Sequence, residues 1–221
     1  MGSLPMLGLY EELRKNFGYR HWWPGETEDE ITIGAILTQQ VSWTNVEKAI
    51  KNLKENDMLS LAAIADANLP ELERLVRPTG FFRQKARRLR NFAQYVARTH
   101  GSLGIMFRKD SAGLRKELLD IDGVGPETAD SIMLYAAGKR IFVIDAYTRR
   151  IMSRMYGTPD DMGYDELQEY ISSRIPGSTK LYNDFHAQFV ELGKNYCRTK
   201  PLCDMCPVKR HCSYYKAQMQ G

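Results

Sequence analysis

The cysteines carry the clearest potential chemistry in this chain of 221 residues, because all four lie near its end. Cys197, Cys203, Cys206 and Cys212 are separated by five, two and five residues. A disulfide framework would spread cysteines through the chain, so the clustering predicts a metal site in a reducing, intracellular compartment, the cytoplasm or nucleoid. Four thiolates with one close pair suit either a tetrahedral zinc ion or an iron–sulfur cluster, and spacing alone does not distinguish them.

Asp145 is the carboxylate best placed for chemistry. It follows the apolar run 141–144 and precedes a helical pattern that begins at Ala146. A carboxylate there is a good N-cap, which requires no further role. If it also faces a ligand, it can activate water or stabilise the positive charge that develops on a sugar during glycoside cleavage. His186, in an aromatic helical pattern, is expected to be a packed histidine rather than a catalyst.

A Gly-Val-Gly turn at 123–125 precedes Pro126, a residue that suits the first position of a helix. The glycines allow a tight turn, and N–H groups at the start of the next helix can bind a phosphate without reading base sequence. A plain turn between packed helices is the alternative. Apolar flanking residues favour a helix-hairpin-helix over about 114–136. The residues expected to contact nucleic acid here are Gly123, Val124, Gly125 and Thr128.

The three tryptophans, Trp22, Trp23 and Trp43, lie before and within the first long helical pattern. Tryptophan is often a core residue, but Trp22 and Trp23 stand in a polar loop. A slot lined by such rings would stack a base turned out of a duplex, and would favour a positively charged one such as an N3- or N7-alkylated purine. The three rings are therefore the candidate base pocket.

A basic segment is the candidate surface for a phosphate backbone, because no acidic residue lies between Arg74 and Arg98. Charged runs are usually solvated faces, which is the alternative. The net charge of +4, from 31 basic and 27 acidic residues, permits a polyanionic partner without requiring one. Arg83 and Lys85 are the expected contacts. The full set of basic residues is Arg77, Arg83, Lys85, Arg87, Arg88 and Arg90.

The elements that must position these groups are predicted to be helices only. Residues 27–30 have capping-box form and precede apolar residues at helical spacing, which predicts one long helix over 28–55. The strand-like run 140–144 is too short and solitary to found a sheet. A hydrophobic content of 43% suffices for a core, and no run predicts a membrane span or signal peptide. Further helices are expected over 59–67, 69–77, 82–99, 111–119, 126–137, 145–155, 164–173 and 180–196.

The order of these motifs resembles that of the endonuclease III superfamily of helix-hairpin-helix DNA glycosylases. The hairpin, Val-Ile-Asp145 at a helix start and the cysteine cluster carry the resemblance, which spans about residues 28–213. It implies that Asp145 is catalytic and that the Gln39-Gln40 segment fills the hole left by a flipped base. It also implies that the cysteines hold a [4Fe–4S] cluster, with zinc as the alternative.

The resemblance further implies two helical domains with a DNA-binding cleft between them. One comprises residues 28–137 with the hairpin. The other comprises 1–27 plus 138–221, with the cluster loop at 197–212. The expected partner is double-stranded DNA that contains a damaged base, bound by a monomer without contact to a membrane.

Within the superfamily, the segments Trp22-Trp23-Pro24 and Glu127-Thr-Ala-Asp130 resemble the 3-methyladenine DNA glycosylases. The cysteine cluster departs from that subgroup, whose best-known bacterial member lacks it. The resemblance implies removal of an alkylated purine such as 3-methyladenine and places Glu127 in the base pocket. Members that also cut the DNA backbone have a lysine at the position of Glu127, and a carboxylate cannot form their Schiff base. A monofunctional glycosylase, which leaves an abasic site, is therefore expected.

Three alternatives stay open. A glycosylase for oxidised or mismatched bases would share every scaffold motif. A glycosylase with lyase activity would need an amine from elsewhere, such as Lys139. A DNA-binding module without catalysis would explain the hairpin and the basic segment, with Asp145 as a helix cap only.

Overall fold

The computed structural model describes residues 4–219, and every regular element in that range is helical. The all-α prediction is confirmed. No helix among these residues has the length and apolarity to cross a membrane. The α-helices are α1 (Met6–Phe17), α2 (Glu28–Leu37), α3 (Trp43–Glu55), α4 (Leu61–Asp66), α5 (Leu69–Leu75), α6 (Phe82–Thr99), α7 (Leu103–Met106), α8 (Ser111–Asp120), α9 (Pro126–Ser131), α10 (Ala146–Tyr156), α11 (Tyr164–Ser172), α12 (Thr179–Asn195) and α13 (Ser213–Gln218).

The chain forms two compact units. The central unit is Trp23–Lys139, and the terminal unit combines the residues up to Trp22 with those from Arg140 onward. Short 3₁₀ turns supplement the α-helices at Arg77–Thr79, Cys203–Met205 and Lys209–His211. A π-helical turn, Ile132–Ala136, extends α9.

Helix α2 lies at the core of the central unit because it is apolar on all sides. Every residue from Thr32 to Leu37 is buried, as expected for a helix without a polar face. Thr27 caps its start by accepting a hydrogen bond from the Glu30 N–H at 3.1 Å. Helix α6 packs beside it with one apolar stripe, which includes Leu89, Phe92 and Val96. Of its basic residues, Arg83, Arg87 and Arg98 are exposed, Arg88 and Arg90 are half-buried, and Lys85 is buried.

The prediction of one helix over 28–55 is wrong, because the chain breaks between Leu37 and Trp43. Gln40 has a φ of 54°, a left-handed conformation that cannot continue an α-helix. Ser42 is extended, and α3 starts at the next residue. The apolar spacing continues across the break since α3 also buries one face, with Val46 and Leu53 inside.

The terminal unit is built around aromatic residues of α12 and the extended run before α10. Phe185 and Phe189 stack at 4.6 Å between ring centroids, and Phe142 meets both rings edge-on. Helices α10 and α12 approach closely at Gly193, where a Cβ atom would stand 2.4 Å from the Tyr147 ring. Glycine therefore permits the helix contact that positions the residues around the start of α10.

Helix α1 was not predicted, although it packs firmly in the terminal unit. Leu9 and Leu13 are fully buried. The Tyr10 hydroxyl donates to the Asp184 carboxylate at 3.0 Å, and the Arg20 N–H donates to the same group at 2.8 Å. A buried carboxylate of α12 thus holds the N-terminal segment in place.

Candidate functional site

Asp145 stands at the start of α10, at the end of the buried residues Phe142, Val143 and Ile144. Its Oδ1 accepts a hydrogen bond from the Thr148 N–H at 2.7 Å, so the carboxylate is the N-cap of the helix. Its Oδ2 lies 3.5 Å from Nε2 of His186, and the Asp145 side chain is 12% exposed. Asp145 therefore caps α10, and the cap uses only one of its two carboxylate oxygens.

The surroundings of Asp145 favour the ionised carboxylate. Burial acts to raise the pKa of Asp145, but the nearby His186 and the Thr148 N–H lower it by more, and the pKa lies below its ordinary value. The positive end of the α10 dipole acts in the same direction. Asp145 is accordingly an anion at neutral pH, the state required to stabilise positive charge or to accept a proton.

His186 is a packed residue whose proximity to Asp145 the sequence did not reveal. It is packed as expected, with its ring edge-on to Phe142 at 6.4 Å between centroids. Its 3.5 Å approach to Asp145, however, makes it part of the same polar site. The only signal in the sequence was a histidine among apolar residues of α12, which does not reveal its partner.

The hairpin forms between α8 and α9 as predicted, and its glycine at 123 is required by geometry. Gly123 has a φ of 85°, and a Cβ atom there would lie 2.4 Å from the side chain of Arg88. Gly125 precedes α9 as its N-cap, with Pro126 in the first turn. The Val124 side chain is buried and its N–H donates to the Ile121 carbonyl at 3.0 Å, so that particular N–H serves the turn rather than a ligand.

The two glutamines have different environments. The side-chain amide N–H of Gln39 donates hydrogen bonds to the Gly123 carbonyl at 2.8 Å and to the Thr128 hydroxyl at 3.1 Å. Its Oε1 accepts a hydrogen bond from Arg88 at 3.2 Å. Thr128 is itself buried. Both side chains therefore tie the hairpin to the end of α2. Thr128 is withdrawn from the surface, whereas Gln39 is half-buried and its expected DNA contact stays a prediction. Gln40 is exposed and held in its left-handed conformation.

Lys85 does not belong to the expected basic surface. Its side chain is turned inward, the residue is 3% exposed, and its ammonium group donates to the carbonyls of Leu37 and Thr79 at 2.9 and 2.8 Å. Burial lowers the pKa of Lys85 to about 8. The prediction that it contacts a phosphate backbone is wrong, because the Leu37 carbonyl at the end of α2 and the Thr79 carbonyl in the 3₁₀ turn before α6 use its donors. Arg83 remains at the surface, with a side chain that is 77% exposed.

Phe81 is an exposed residue that the sequence analysis did not single out. It is 70% exposed and has a φ of 43°, an uncommon conformation for an aromatic residue. It directly precedes α6 and lies two positions before Arg83. A strained apolar side chain at the surface beside a cation makes Phe81 a candidate contact residue.

Two of the three tryptophans meet in the central unit. The rings of Trp23 and Trp43 make a T-shaped contact at 5.0 Å, and Trp23 also contacts Tyr135 at 5.1 Å. The Trp43 indole donates to the Glu47 carboxylate at 2.9 Å. A recess of about 240 Å³ adjoins these rings. Its lining consists of Trp23, Pro24, Glu30, Trp43, Glu47, Ile50, Lys51 and Lys54.

Trp22 and Glu127 do not belong to this recess. Trp22 is half-buried and lies in the terminal unit. Glu127 is exposed in the first turn of α9. The predicted four-residue base pocket is thus represented in the central unit by Trp23 and Trp43.

The four cysteines are free thiols that line one cavity in the terminal unit. Burial, followed by the proximity of the other thiols, raises the pKa of Cys203, and burial raises that of Cys206 to about 11. Since a metal ligand must be a thiolate, these environments require a cation to hold the deprotonated sulfurs. Within residues 4–219, no three His, Cys, Asp or Glu side chains converge on a point suited to a single metal ion.

Arginines of α10 hold the first cysteine of this set. Arg154 donates to the Cys197 sulfur at 3.4 Å and to the Arg198 carbonyl at 2.6 Å. Arg150 donates to the Cys197 carbonyl at 2.7 Å. Four sulfurs around one cavity, with a guanidinium beside one of them, are a donor set that fits a cluster of negative charge.

Comparison with known proteins gives one consistent result. The model of the HhH-GPD superfamily of base excision DNA repair proteins matches residues 33–176. A protein of Methanocaldococcus jannaschii whose name assigns it to the DNA repair glycosylases is 44% identical over 92% of this chain and 94% of its own length.

Solved structures agree with this result. The Helicobacter pylori 3-methyladenine DNA glycosylase, bound to 1,N6-ethenoadenine, superposes with a TM-score of 0.77 at 28% identity, covering 86% of this chain and 98% of that one. A trapped endonuclease III–DNA covalent intermediate has a TM-score of 0.82 at 23% identity, covering 98% and 99% of the two chains. The second likeness concerns the fold alone.

Proposed function

This chain belongs to the HhH-GPD superfamily of base excision DNA repair proteins and is a DNA repair glycosylase, and we propose that it is a monofunctional one that removes alkylated purines. The observation that carries the proposal is the ionised Asp145, anchored at a helix start with one oxygen committed to the cap. The aromatic recess and Glu127 support the choice of substrate and of reaction.

Asp145 is the proposed catalytic residue. As the bond between C1′ and the base nitrogen breaks, its electron pair leaves with the base and the sugar becomes an oxocarbenium ion. The carboxylate stabilises that positive charge and accepts a proton from the water that attacks C1′. An N3- or N7-alkylated purine already carries a positive charge, so it departs as a neutral base and needs no acid to protonate it.

The recess beside Trp23 and Trp43 is the proposed stacking surface for the extruded base. Half-buried indole rings bind a flat cation through stacking and cation–π attraction. The Trp43 ring is fixed by its hydrogen bond to Glu47. The recess is lined by the carboxylates of Glu30 and Glu47 and by Lys51 and Lys54, so the rings rather than a net charge support the choice of a flat base. The likeness to the Helicobacter pylori enzyme, at 28% identity, also supports a purine substrate.

The absence of lyase activity is proposed from Glu127. Strand cleavage by Schiff-base chemistry needs an amine at the sugar, and the resemblance to lyase-active members places their lysine where Glu127 stands. The ammonium group of Lys139 donates a hydrogen bond to the Lys109 carbonyl at 2.8 Å. That hydrogen bond gives Lys139 a local role at the surface of the central unit.

The proposed contacts with double-stranded DNA come from the hairpin turn, Gln40, Phe81 and Arg83. Exposed Gln40 suits the gap left by a flipped base, and exposed Phe81 is an apolar side chain that can insert between base pairs. Arg83 would contact a phosphate and set the position of the duplex. One chain is expected to act on one duplex.

The four cysteines are proposed to hold a [4Fe–4S] cluster, which would supply structural cohesion and order the basic residues of its loop. Iron and sulfide analysis of the purified protein tests this directly. A brown protein that absorbs broadly in the blue, with about four irons per chain, is the expected result. A colourless protein with one zinc ion would contradict it.

Product analysis tests the enzymatic proposal. Duplexes with a single 3-methyladenine, N7-methylguanine, oxidised pyrimidine or mismatched base are incubated with the protein and resolved with and without alkali. We expect release of the methylated purines, with strand breaks only after alkali. Breaks without alkali would contradict the role given to Glu127, whereas release of only oxidised or mismatched bases would contradict the substrate.

A further inference from the structure

His186 stands where it can hold the oxygen of Asp145 that the helix cap leaves free. Its Nε2 is 3.5 Å from Oδ2, while the Thr148 N–H holds Oδ1. The two contacts come from different helices, His186 from α12 and Thr148 from α10. Each oxygen of the carboxylate therefore has one polar group of a different helix beside it.

We propose that His186 is the positioning residue of the Asp145 carboxylate, fixing its rotation so that the remaining lone pairs point in a constant direction. This inference rests on the proposed function of Asp145. An ionised carboxylate offers about four acceptor positions. With one used by Thr148 and one by His186, acceptor positions remain for the attacking water and the sugar.

Burial keeps the imidazole of His186 beside the carboxylate and away from solvent. His186 is 5% exposed and lies against the Phe142 ring, in an aromatic core that a phenylalanine would also fill. A buried polar ring costs free energy unless it is compensated. The attraction to an anionic carboxylate contributes to that compensation, and the lowered pKa of Asp145 is consistent with it.

A cap alone would leave the carboxylate mobile. The last torsion of an aspartate side chain is broad, so one hydrogen bond at Oδ1 allows the second oxygen to swing. A misplaced catalytic group costs rate without a comparable loss of substrate binding. His186 should therefore affect the bond-breaking step and leave the affinity for DNA unchanged.

The test uses three variants of the full chain under single-turnover conditions, with the most rapidly processed duplex. His186→Phe keeps the ring volume and removes the N–H, and His186→Gln keeps an N–H donor. His100→Phe is the matched control, because His100 also contacts a carboxylate, Glu117, at 2.6 Å with 10% of its side chain exposed, but in the central unit.

We expect His186→Phe to slow base release by roughly 100-fold with an unchanged Kd for DNA, and His186→Gln to recover part of that loss. His100→Phe should lower thermal stability and leave the rate unchanged. Equal rates for wild type and His186→Phe, measured well below both melting temperatures, would overturn the proposal. Equal losses in both His186 variants and His100→Phe would also overturn it, since they would reflect general destabilisation.

A double-mutant cycle separates this inference from the proposed function. Unfolding of Asp145→Asn, His186→Phe and the double variant measures the coupling of the two side chains without any substrate. A coupling of zero would overturn the pairing whatever the enzyme does. If wild type released no base from any duplex, the glycosylase proposal and the positioning role would both fail, and a retained coupling would then mark a purely structural pair.

Discussion

Two histidine–carboxylate pairs, one in each unit, hold their carboxylates in different ways. In the central unit, Glu117 is contacted by Tyr95 and His100 at 2.6 Å and by Lys109 at 2.5 Å. In the terminal unit, Asp145 has one backbone hydrogen bond and a histidine at 3.5 Å. Glu117 is surrounded by donors at short range, whereas Asp145 keeps room for further partners.

The difference matches the proposed roles, in which Glu117 stabilises the fold and Asp145 takes part in catalysis. Burial alone would raise the pKa of Glu117, but Lys109, Tyr95 and His100 bring it down to about 2. Every short contact of Glu117 thus favours the folded state. Asp145 is also held as an anion, but by fewer and longer contacts, so a substrate does not have to displace a strong partner.

The largest expected effect is the loss of base release in Asp145→Asn. Asparagine is also a good N-cap, so α10 should persist and the stability should change little. Without the negative charge, neither the oxocarbenium ion nor the attacking water is assisted, and single-turnover release should fall by about 1,000-fold. Fluorescence anisotropy with the same duplex should show unchanged affinity.

The matched variant, Glu117→Gln, should lose stability and keep its activity, the opposite of what is expected for Asp145→Asn. It replaces the charge that three neighbouring groups contact, and we expect a loss of about 2 kcal/mol in the free energy of unfolding in urea at neutral pH. Base release by the folded protein should be unchanged. If Glu117→Gln lost activity while Asp145→Asn kept it, the assignment of the two roles would be reversed.

The pH dependence of stability sharpens the same distinction. The pKa of Glu117 is about 2 in the folded protein against an ordinary value of 4.5, so the unfolded chain binds the proton first as pH falls. The stability from Glu117 is therefore complete above pH 4.5 and declines towards pH 2. The free energy of unfolding in urea, measured across this pH range, should fall less with decreasing pH for Glu117→Gln than for wild type. The same pH dependence in both proteins would contradict the assignment.

Lys85 extends the comparison to a buried cation. Its pKa of about 8 lies below the ordinary 10.5, so between these values the unfolded chain binds more protons and stability rises with pH. Lys85→Met should remove that rise, about 3 kcal/mol over the interval, while DNA affinity stays constant. A clear loss of DNA affinity in Lys85→Met would instead support a contact between Lys85 and the phosphate backbone, contrary to its burial.

Features that depend on neighbouring residues were predictable from the sequence, and contacts between residues far apart in the chain were not. Local signals identified the helix start at Asp145, the glycine turn at 123–125 and the cysteine cluster, because each is encoded by neighbouring residues. The apolar spacing across 28–55 was read correctly as a buried face. It could not reveal the left-handed Gln40, since both helices beside the break keep the same period.

Long-range contacts were the ones that sequence could not supply. The basic neighbours of Lys85 predict a surface cation, yet its position on α6 directs it at the carbonyls of Leu37 and Thr79. Gln39 was expected at DNA, and the sequence did not reveal that it binds the hairpin. His186 was correctly expected to be packed, but only the approach of α12 to α10 shows that Asp145 is its partner.

The smallest predicted effect concerns the cation that stays at the surface. Arg83 forms only a loose, exposed ion pair with Glu73 at 3.9 Å, so Arg83→Ala should leave stability unchanged. If Arg83 contacts a phosphate, the variant should bind undamaged and damaged duplexes a few-fold more weakly, and the slope of log affinity against log salt should fall by about one. Arg174→Ala, which removes an equal charge from the terminal unit, is the control. An equal slope change in that variant would mean that net charge, rather than a contact by Arg83, governs binding.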